Sequence, residues 1–273
     1  MKITVLVENT ATEPLKSEHG LSMLIEFQGE KILLDAGTTD LFLENAEVMG
    51  VALEGIEKCV LSHGHYDHSG GFGTYLEQNQ KATLYMMKHA DELYYSGKGE
   101  LHEIGIPKEV LEKHRNRFVF VESVTKLQEN VYLVPHSTEG LEQIGARTKL
   151  FRKVGEEMLP DNFQHELSLV FDTEPGLVIF NSCSHGGAKN IISEVQKVFP
   201  GKKIYAFIGG LHMKGDSFTE DEIIEVAEYL KNAGVQYLYT GHCTGERALQ
   251  ILKKCGGDLV QELTTGKVID ICQ

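Results

Sequence analysis

A chain of 273 residues with 41% apolar content is enough for one large domain or two small ones of ordinary globular composition. Lys plus Arg number 26 against 40 Asp plus Glu, a formal net charge of -14, which counts against a general nucleic-acid binder because phosphate backbones are gripped chiefly by Lys and Arg. Five cysteines (Cys59, Cys183, Cys243, Cys255, Cys272) without CxxC spacing, a start "MKITVLVENT" without leader character, and no apolar run near the roughly 20 residues of a membrane helix give the expectation of a reduced, cytoplasmic protein with no membrane association.

In chain order, "KITVLVEN", "SMLIEF" and "KILLDAG" read as short strands bounded by Gly or charged turns. "TDLFLENAEVMG" carries apolar residues at helical spacing and closes on Gly50. "EKCVLSH" is a strand expected to end on His63, "FGTYLEQN" a helix and "ATLYMMK" a strand. Residues 89 to 125 are less legible, with a helix near "PKEVLEKH" and a strand "RFVFVES". "ENVYLVP" is a strand, and residues 136 to 163 read as a polar loop containing the basic stretch "ARTKLFRK". Beyond it, "ELSLVFD", "GLVIFNS", "KIYAFIGG" and "QYLYTGH" are strands. Between and after these come helices over "AKNIISEVQKVF", "TEDEIIEVAEYLKNAG" and "TGERALQILKKCG". The second of these helices opens with Thr219 three residues before Glu222, a capping-box spacing. "LVQELTTGKVIDI" reads as a terminal hairpin. No repeat or linker divides the chain, so a single domain over 1–273 is expected, with a variable, lid-like insertion at about 89–163. Two mixed sheets with helices outside would accommodate both halves.

The chemistry concentrates in "CVLSHGHYDHSGG", where His63, His65, Asp67 and His68 follow an apolar strand and precede two glycines. Neutral imidazole and carboxylate are natural ligands for zinc, and also for iron or manganese. Adjacent Asp67 and His68 cannot easily face the same ion as His63 and His65, so the pattern suggests two ions. A metal-free, histidine-rich surface loop is the bland alternative, and the density of donors makes it the weaker one. More ligands are needed, and two other strand ends offer them: "VIFNSCSHGG" brings His185 and "YLYTGHCTG" brings His242 to strand–helix junctions. "AFIGGLHM" adds His212 at a third.

"LSHGHYDHSGG" resembles the signature of the metallo-β-lactamase fold superfamily. The resemblance implies an α/β fold, an αββα sandwich with a dinuclear metal site between the sheets. The wider pattern "EHGLSMLIE", "LLDAG", "HELSL", "NSCSHGG", "GGLH" and "HCTG" is similar to the branch named for dihydropterin ribofuranosyl-aminobenzene phosphate synthase. Carried over, His63, His65 and His185 hold the first metal, and Asp67, His68 and His242 the second. Many members place a bridging Asp at the end of the strand matching "VIFNSCSH", where Cys183 stands here, followed by His185. Either Cys183 substitutes as a ligand, or His185 does the work and the bridge is only water or hydroxide; the second is the reading favoured here. Asp35 becomes a residue that orients a ligand histidine or its loop, with a simple turn aspartate as the alternative. Iron-type reductases of this fold have Glu where His65 stands, which favours two zinc ions, with manganese or iron as alternatives.

The implied reaction is attack by a metal-bound hydroxide, oriented by Asp67, on a small anionic, phosphorylated substrate. Gly186 and Gly187, and Thr244 before another helix, stand at helix N-termini suited to anions. Arg147, Lys149, Arg152 and Lys153 could add charge, and His165 could sit near the mouth. His19 and His212 are expected in the pocket for substrate contact or proton transfer, His212 as a catalytic group. The alternatives are a dihydropterin-type synthase, a transferase releasing pyrophosphate, and a non-enzymatic metal or ligand sensor.

Overall fold

The structure is a computed structural model that describes residues 1–97 and 99–271; Cys272 lies outside them. The chain begins with β1 (Lys2–Val7), β2 (Ser22–Phe27) and β3 (Glu30–Leu34), then crosses by α1 (Leu41–Val48) to β4 (Lys58–Val60). Two short helices, α2 (Tyr66–Ser69) and α3 (Phe72–Gln78), lead to β5 (Thr83–Met87), β6 (Tyr94–Ser96) and β7 (His102–Glu103). Next come α4 (Lys108–His114), β8 (Phe118–Val121), β9 (Thr125–Gln128), β10 (Val131–Pro135) and α5 (Glu142–Thr148). β11 (Leu150–Val154), β12 (Glu157–Pro160), β13 (Leu167–Thr173) and β14 (Gly176–Phe180) follow. From there helices and strands alternate: α6 (Ala188–Val198), β15 (Ile204–Ile208), α7 (Glu220–Asn232), β16 (Tyr237–Thr240), α8 (Glu246–Gly256), β17 (Val260–Glu262) and β18 (Val268–Asp270).

Two seven-stranded sheets, ordered β18-β1-β2-β3-β4-β5-β8 and β17-β16-β15-β14-β13-β10-β9, form the inner layers. Their strands are apolar on both faces, because each sheet is covered twice. Met23, Ile25, Ile32, Leu34 and Val60 of the first sheet meet Leu169, Phe171, Val178, Phe180 and Ile208 of the second in one buried cluster. The alternate residues face outward: Leu24, Leu33 and Cys59 pack with Phe42, Phe72 and Val110 of the helices over the first sheet. Leu177, Ile179 and Phe207 pack with Ile191, Ile223 and Leu252 of α6, α7 and α8 over the second. This is the αββα arrangement. The expected capping box is formed: Thr219 accepts from the Glu222 backbone, and the Glu222 side chain accepts from Thr219 N–H.

Four expectations change. Residues 136 to 163 are not a loop, since they form α5, β11 and β12. These elements are short and rest on a small cluster of Leu141, Leu150 and Phe163, so no sustained periodicity marks them. The stretch 89–163 also supplies β8 to the first sheet and β9 and β10 to the second, besides a small sheet ordered β12-β11-β6-β7. The terminal hairpin does not form: β17 pairs in parallel with β16, and β18 pairs with β1 in the other sheet. Long-range burial decides that split, with Val260 beneath the helices and Ile269 between the sheets. Finally, β4 ends at Val60, because Ser62 N–H leaves the ladder to donate to Asp35 Oδ1 at 2.8 Å. Among the described residues no helix is long and apolar enough to cross a membrane.

Candidate metal centre

Parallel strands deliver the donors at their C-terminal ends, where the polypeptide must turn outward. Asp35 follows β3, His63 and His65 follow β4, and α2 carries Asp67 and His68. From the facing sheet, Cys183 and His185 follow β14, His212 follows β15 and His242 follows β16. All nine are thereby brought to one rim between the layers.

His63, His65 and His185 form a nearly equilateral triangle of imidazoles, with ring centroids 4.6, 4.8 and 4.9 Å apart. Nε2 of His63, Nε2 of His65 and both ring nitrogens of His185 are buried without a hydrogen-bond partner. Buried polar atoms are ordinarily paired, so unpartnered nitrogens on three adjoining imidazoles are the signature of a donor set for a cation. Burial, and then the neighbouring imidazoles, holds His63 and His185 well below the usual histidine range. Burial, followed by His165, lowers His65 to about 3. All three are neutral at pH 7, the form a metal requires.

The second cluster stands beside it. Nε2 of His68 and Nε2 of His242 are 3.1 Å apart, and Asp67 Oδ2 lies 3.7 and 3.5 Å from them. The Nδ1 atoms face Asp35 Oδ2 and Asn9 Oδ1, each at 2.8 and 2.9 Å respectively. With both Nδ1–H groups donated to those acceptors, two Nε2 lone pairs face each other, and only a positive charge between them removes the repulsion. A proton serves in the absence of metal: burial disfavours charge on His68, but Asp67 and Asp35 outweigh it and raise its pKa. Burial likewise pushes Asp67 up, yet His68 and His242 outweigh it and hold the carboxyl well below its usual range. The residues therefore fit two cations on the chemistry of their donor atoms.

The supporting shell is largely invisible in the sequence. Asp35 accepts from Ser62 N–H, Ser62 Oγ–H and His68 Nδ1, while Ser62 Oγ is 2.8 Å from His63 Nδ1. Glu166 Oε1 accepts from His185 N–H at 2.8 Å and Oε2 from Gly186 N–H at 2.9 Å. Nε2 of buried His136 lies 2.9 Å from Glu166 Oε2. Glu8 does the same for the other turn, accepting the His242 N–H through Oε1. Strained backbone accompanies these turns: Asp35, Ser184, His212 and His242 all have φ between 48° and 57°. No periodicity or motif points to Glu8, Asn9 or His136, and Glu166, though it falls in "HELSL", is given its role only by its contacts in the folded chain.

Several expected substrate contacts are committed elsewhere. His165 is buried with both nitrogens engaged: Nδ1 accepts from Gly64 N–H at 2.9 Å and Nε2 faces Asp161 Oδ2 at 3.0 Å. It braces the His63–His65 turn and does not reach a substrate. Gly186 N–H belongs to Glu166, and Gly187 N–H donates to Ser184 O, so neither offers an anion site. Gly186 is required for packing, since a Cβ there would meet the His136 ring at 2.7 Å. Thr244 is fully buried against Thr240 and accepts from Leu211 N–H. Arg147 is bound bidentately to Glu222 at 2.7 and 2.6 Å.

His19 and His212 are where a substrate could meet them. The His19 side chain is 47% exposed, stacks on His242 at 5.3 Å, and places Nε2 3.4 Å from Asp67 Oδ2. His212 packs on His185 at 4.2 Å. Lys214, not singled out in the sequence, is near enough for its charge to lower the His19 pKa.

Known proteins resemble this chain. The family described as "Metallo-beta-lactamase superfamily" matches residues 17–180. The 7,8-dihydropterin-6-methyl-4-(beta-D-ribofuranosyl)-aminobenzene-5'-phosphate synthase of Methanocaldococcus jannaschii is 30% identical, over 98% of this chain and 96% of its own. The solved structure of Tm1679, described as a metal-dependent hydrolase of the β-lactamase superfamily, superposes with a TM-score of 0.86 at 30% identity, covering 100% of both chains. A diphosphatase from the PhnP family shares the fold, with a TM-score of 0.55 at 16% identity over 98% of this chain and 96% of its own. The chain belongs to the metallo-β-lactamase superfamily.

Proposed function

We propose that this protein is a dinuclear metal-dependent hydrolase acting on a small anionic, phosphorylated molecule. The observation that carries the reading is the set of unpartnered imidazole nitrogens of His63, His65 and His185, set beside Asp67, His68 and His242. The first three would hold one divalent ion and the second three the other, with zinc the best match to the donors and manganese or iron the alternatives. Such a pair, when bound, supplies Lewis-acid polarisation of a substrate oxygen and lowers the pKa of water towards neutrality.

The protein's own groups handle orientation and protons. Asp67 Oδ2 lies 3.4 Å from His19 Nε2 and orients that ring, which is the group at this rim placed to take up a proton. Burial lowers the His19 pKa more than Asp67 raises it, so the ring is neutral near pH 7 and can accept. Its exposure lets it return the proton to solvent. Lys214 gives the same rim a positive charge for an anionic substrate. His212, lowered to about 4 chiefly by burial, is a neutral hydrogen-bond donor beside His185. The four described cysteines are free, which supports a reducing, cytoplasmic setting.

The test is metal analysis of protein purified without chelators, followed by turnover of bis(p-nitrophenyl) phosphate, a phosphomonoester, a thioester and a lactone with added Mn²⁺ or Zn²⁺. Two ions per chain and metal-dependent phosphodiester cleavage are expected. Failure to take up any ion would overturn the reading. The 30% identity to the synthase across 98% of this chain favours a second reading, a transferase. Pyrophosphate release without net hydrolysis would select it.

A further inference from the structure

We infer that Cys183 is a ligand shared by both ions, its thiolate standing between the two donor clusters. The inference rests on the dinuclear reading above and makes it more specific: His185 and Cys183 act together, where the sequence posed them as alternatives. Cys183 groups with His63 and His185 on one side and with His68 and His242 on the other, the ligand atoms of each group lying within 4.8 Å of one another. No other described residue belongs to those two groups at once. Its Sγ is 3.2 Å from His68 Nε2, the same nitrogen that faces His242 Nε2 at 3.1 Å.

The position is built. Ser184 N–H donates to Asn181 Oδ1 at 2.7 Å and Glu166 grips the next two N–H groups, so the turn just after Cys183 is pinned. The neighbouring thiol, Cys243, lies 3.5 Å from the Cys183 carbonyl oxygen and also contacts the Cys183 sulfur, which on its other side faces His68 Nε2. A thiol can donate one weak S–H bond to His68 Nε2, whereas a thiolate is a strong ligand for zinc or cobalt. On ion binding the Cys183 S–H releases its proton to water and the sulfur lone pairs form one coordinate bond to each ion; nothing is oxidised or reduced. The added negative charge joins that of Asp67 in offsetting the two dications.

Cobalt(II) tests this without reference to turnover. Metal-free wild-type protein, Cys183→Ser and Cys243→Ser are titrated with Co²⁺, with bound cobalt measured by elemental analysis and the near-ultraviolet thiolate-to-cobalt charge-transfer absorption recorded. Wild type and Cys243→Ser should bind two ions and show a band that grows through both equivalents. Cys183→Ser should lose the band and bind cobalt at least ~10-fold more weakly. Should Cys183→Ser fail to fold, alkylation with iodoacetamide read by peptide mass replaces it, with Cys183 protected in the cobalt form and modified in the metal-free form under mild denaturant. Two bound ions without a thiolate band, a band that survives in Cys183→Ser, a band complete at the first equivalent, or equal alkylation in both forms overturns the shared ligand while leaving the dinuclear site standing. No cobalt uptake by wild type removes the dinuclear reading itself, and this inference with it.

Discussion

Glu166 Oε1 accepts the backbone N–H of His185 at 2.8 Å, so a fully buried carboxylate fixes the turn that presents an imidazole with no partner for either nitrogen. The charge is sustained by His136. Burial alone would push Glu166 up and His136 down, but their contact outweighs it in both, lowering the acid and raising the base.

Replacing Glu166 by Gln keeps the volume but leaves one acceptor for two N–H groups and strands the His136 charge. A buried pair broken on one side costs about 3–5 kcal/mol. We expect Glu166→Gln to melt well below wild type and to lose 10–100-fold in affinity at the His63–His65–His185 cluster, roughly the range for outer-shell partners. Calorimetry and competition with a chromophoric chelator measure the two effects.

Acid should destabilise the metal-free protein from about the unperturbed histidine pKa downward. His63, His65 and His185 are held neutral in the fold, His65 down to about 3, while in the unfolded chain they gain protons below about 6.5. A lowered histidine contributes stability that is present above 6.5 and lost as pH falls. His68 and His136, being raised, give stability that is complete below 6.5 and do not change the slope there. Asp67 and Glu166, lowered from 3.8 and 4.5, enter only at more acid pH. Between pH 6.5 and 4.5 the loss should therefore be about 1.4 kcal/mol per pH unit for each such histidine. Urea titrations of chelator-treated protein at three pH values check this; a flat profile would contradict the neutral assignment.

His19 separates substrate handling from metal holding. Being exposed, it should cost less than about 0.5 kcal/mol of stability as His19→Ala. Bound metal per chain should stay at the wild-type value while kcat falls, with partial rescue by exogenous imidazole. Loss of metal in this variant would make His19 a ligand instead.

Arg147 should be inert towards substrate. Its partner Glu222 is lowered to about 2, first by the hydrogen bonds from Arg147, but both side chains are more than a third exposed and solvent screens the pair. Arg147→Ala should leave KM unchanged for every anionic substrate tried and shift stability by less than about 1 kcal/mol.

Much of this architecture was written locally. Strands such as β2 and β3 and the capped helix α7 announce themselves because burial and propensity agree within a few residues. His63, His65, Asp67 and His68 were legible because their density has few other uses. What stayed hidden depends on distance along the chain. β17 and β18 part company because their partners are β16 and β1, and no turn residue between them records that. Glu8 reaches His242 across 234 positions, and Glu166 looked like one more strand-edge glutamate until its burial was known. The glycines after His185 misled for a related reason. Their N–H groups read as free, but the carboxylate of Glu166, 20 positions earlier in the chain, claims one.

Asp35 touches both halves of the centre, His68 directly and His63 through Ser62. Ligands at the two clusters are thus steered by one carboxylate, and their occupancies become thermodynamically linked. An ion that locks His63 fixes Ser62 and Asp35 and so pre-orients His68 for its neighbour. By reciprocity, whatever factor the first ion adds to the affinity for the second, the second adds for the first. The centre should fill cooperatively, and Asp35→Asn should weaken that coupling and make the uptake curve shallower.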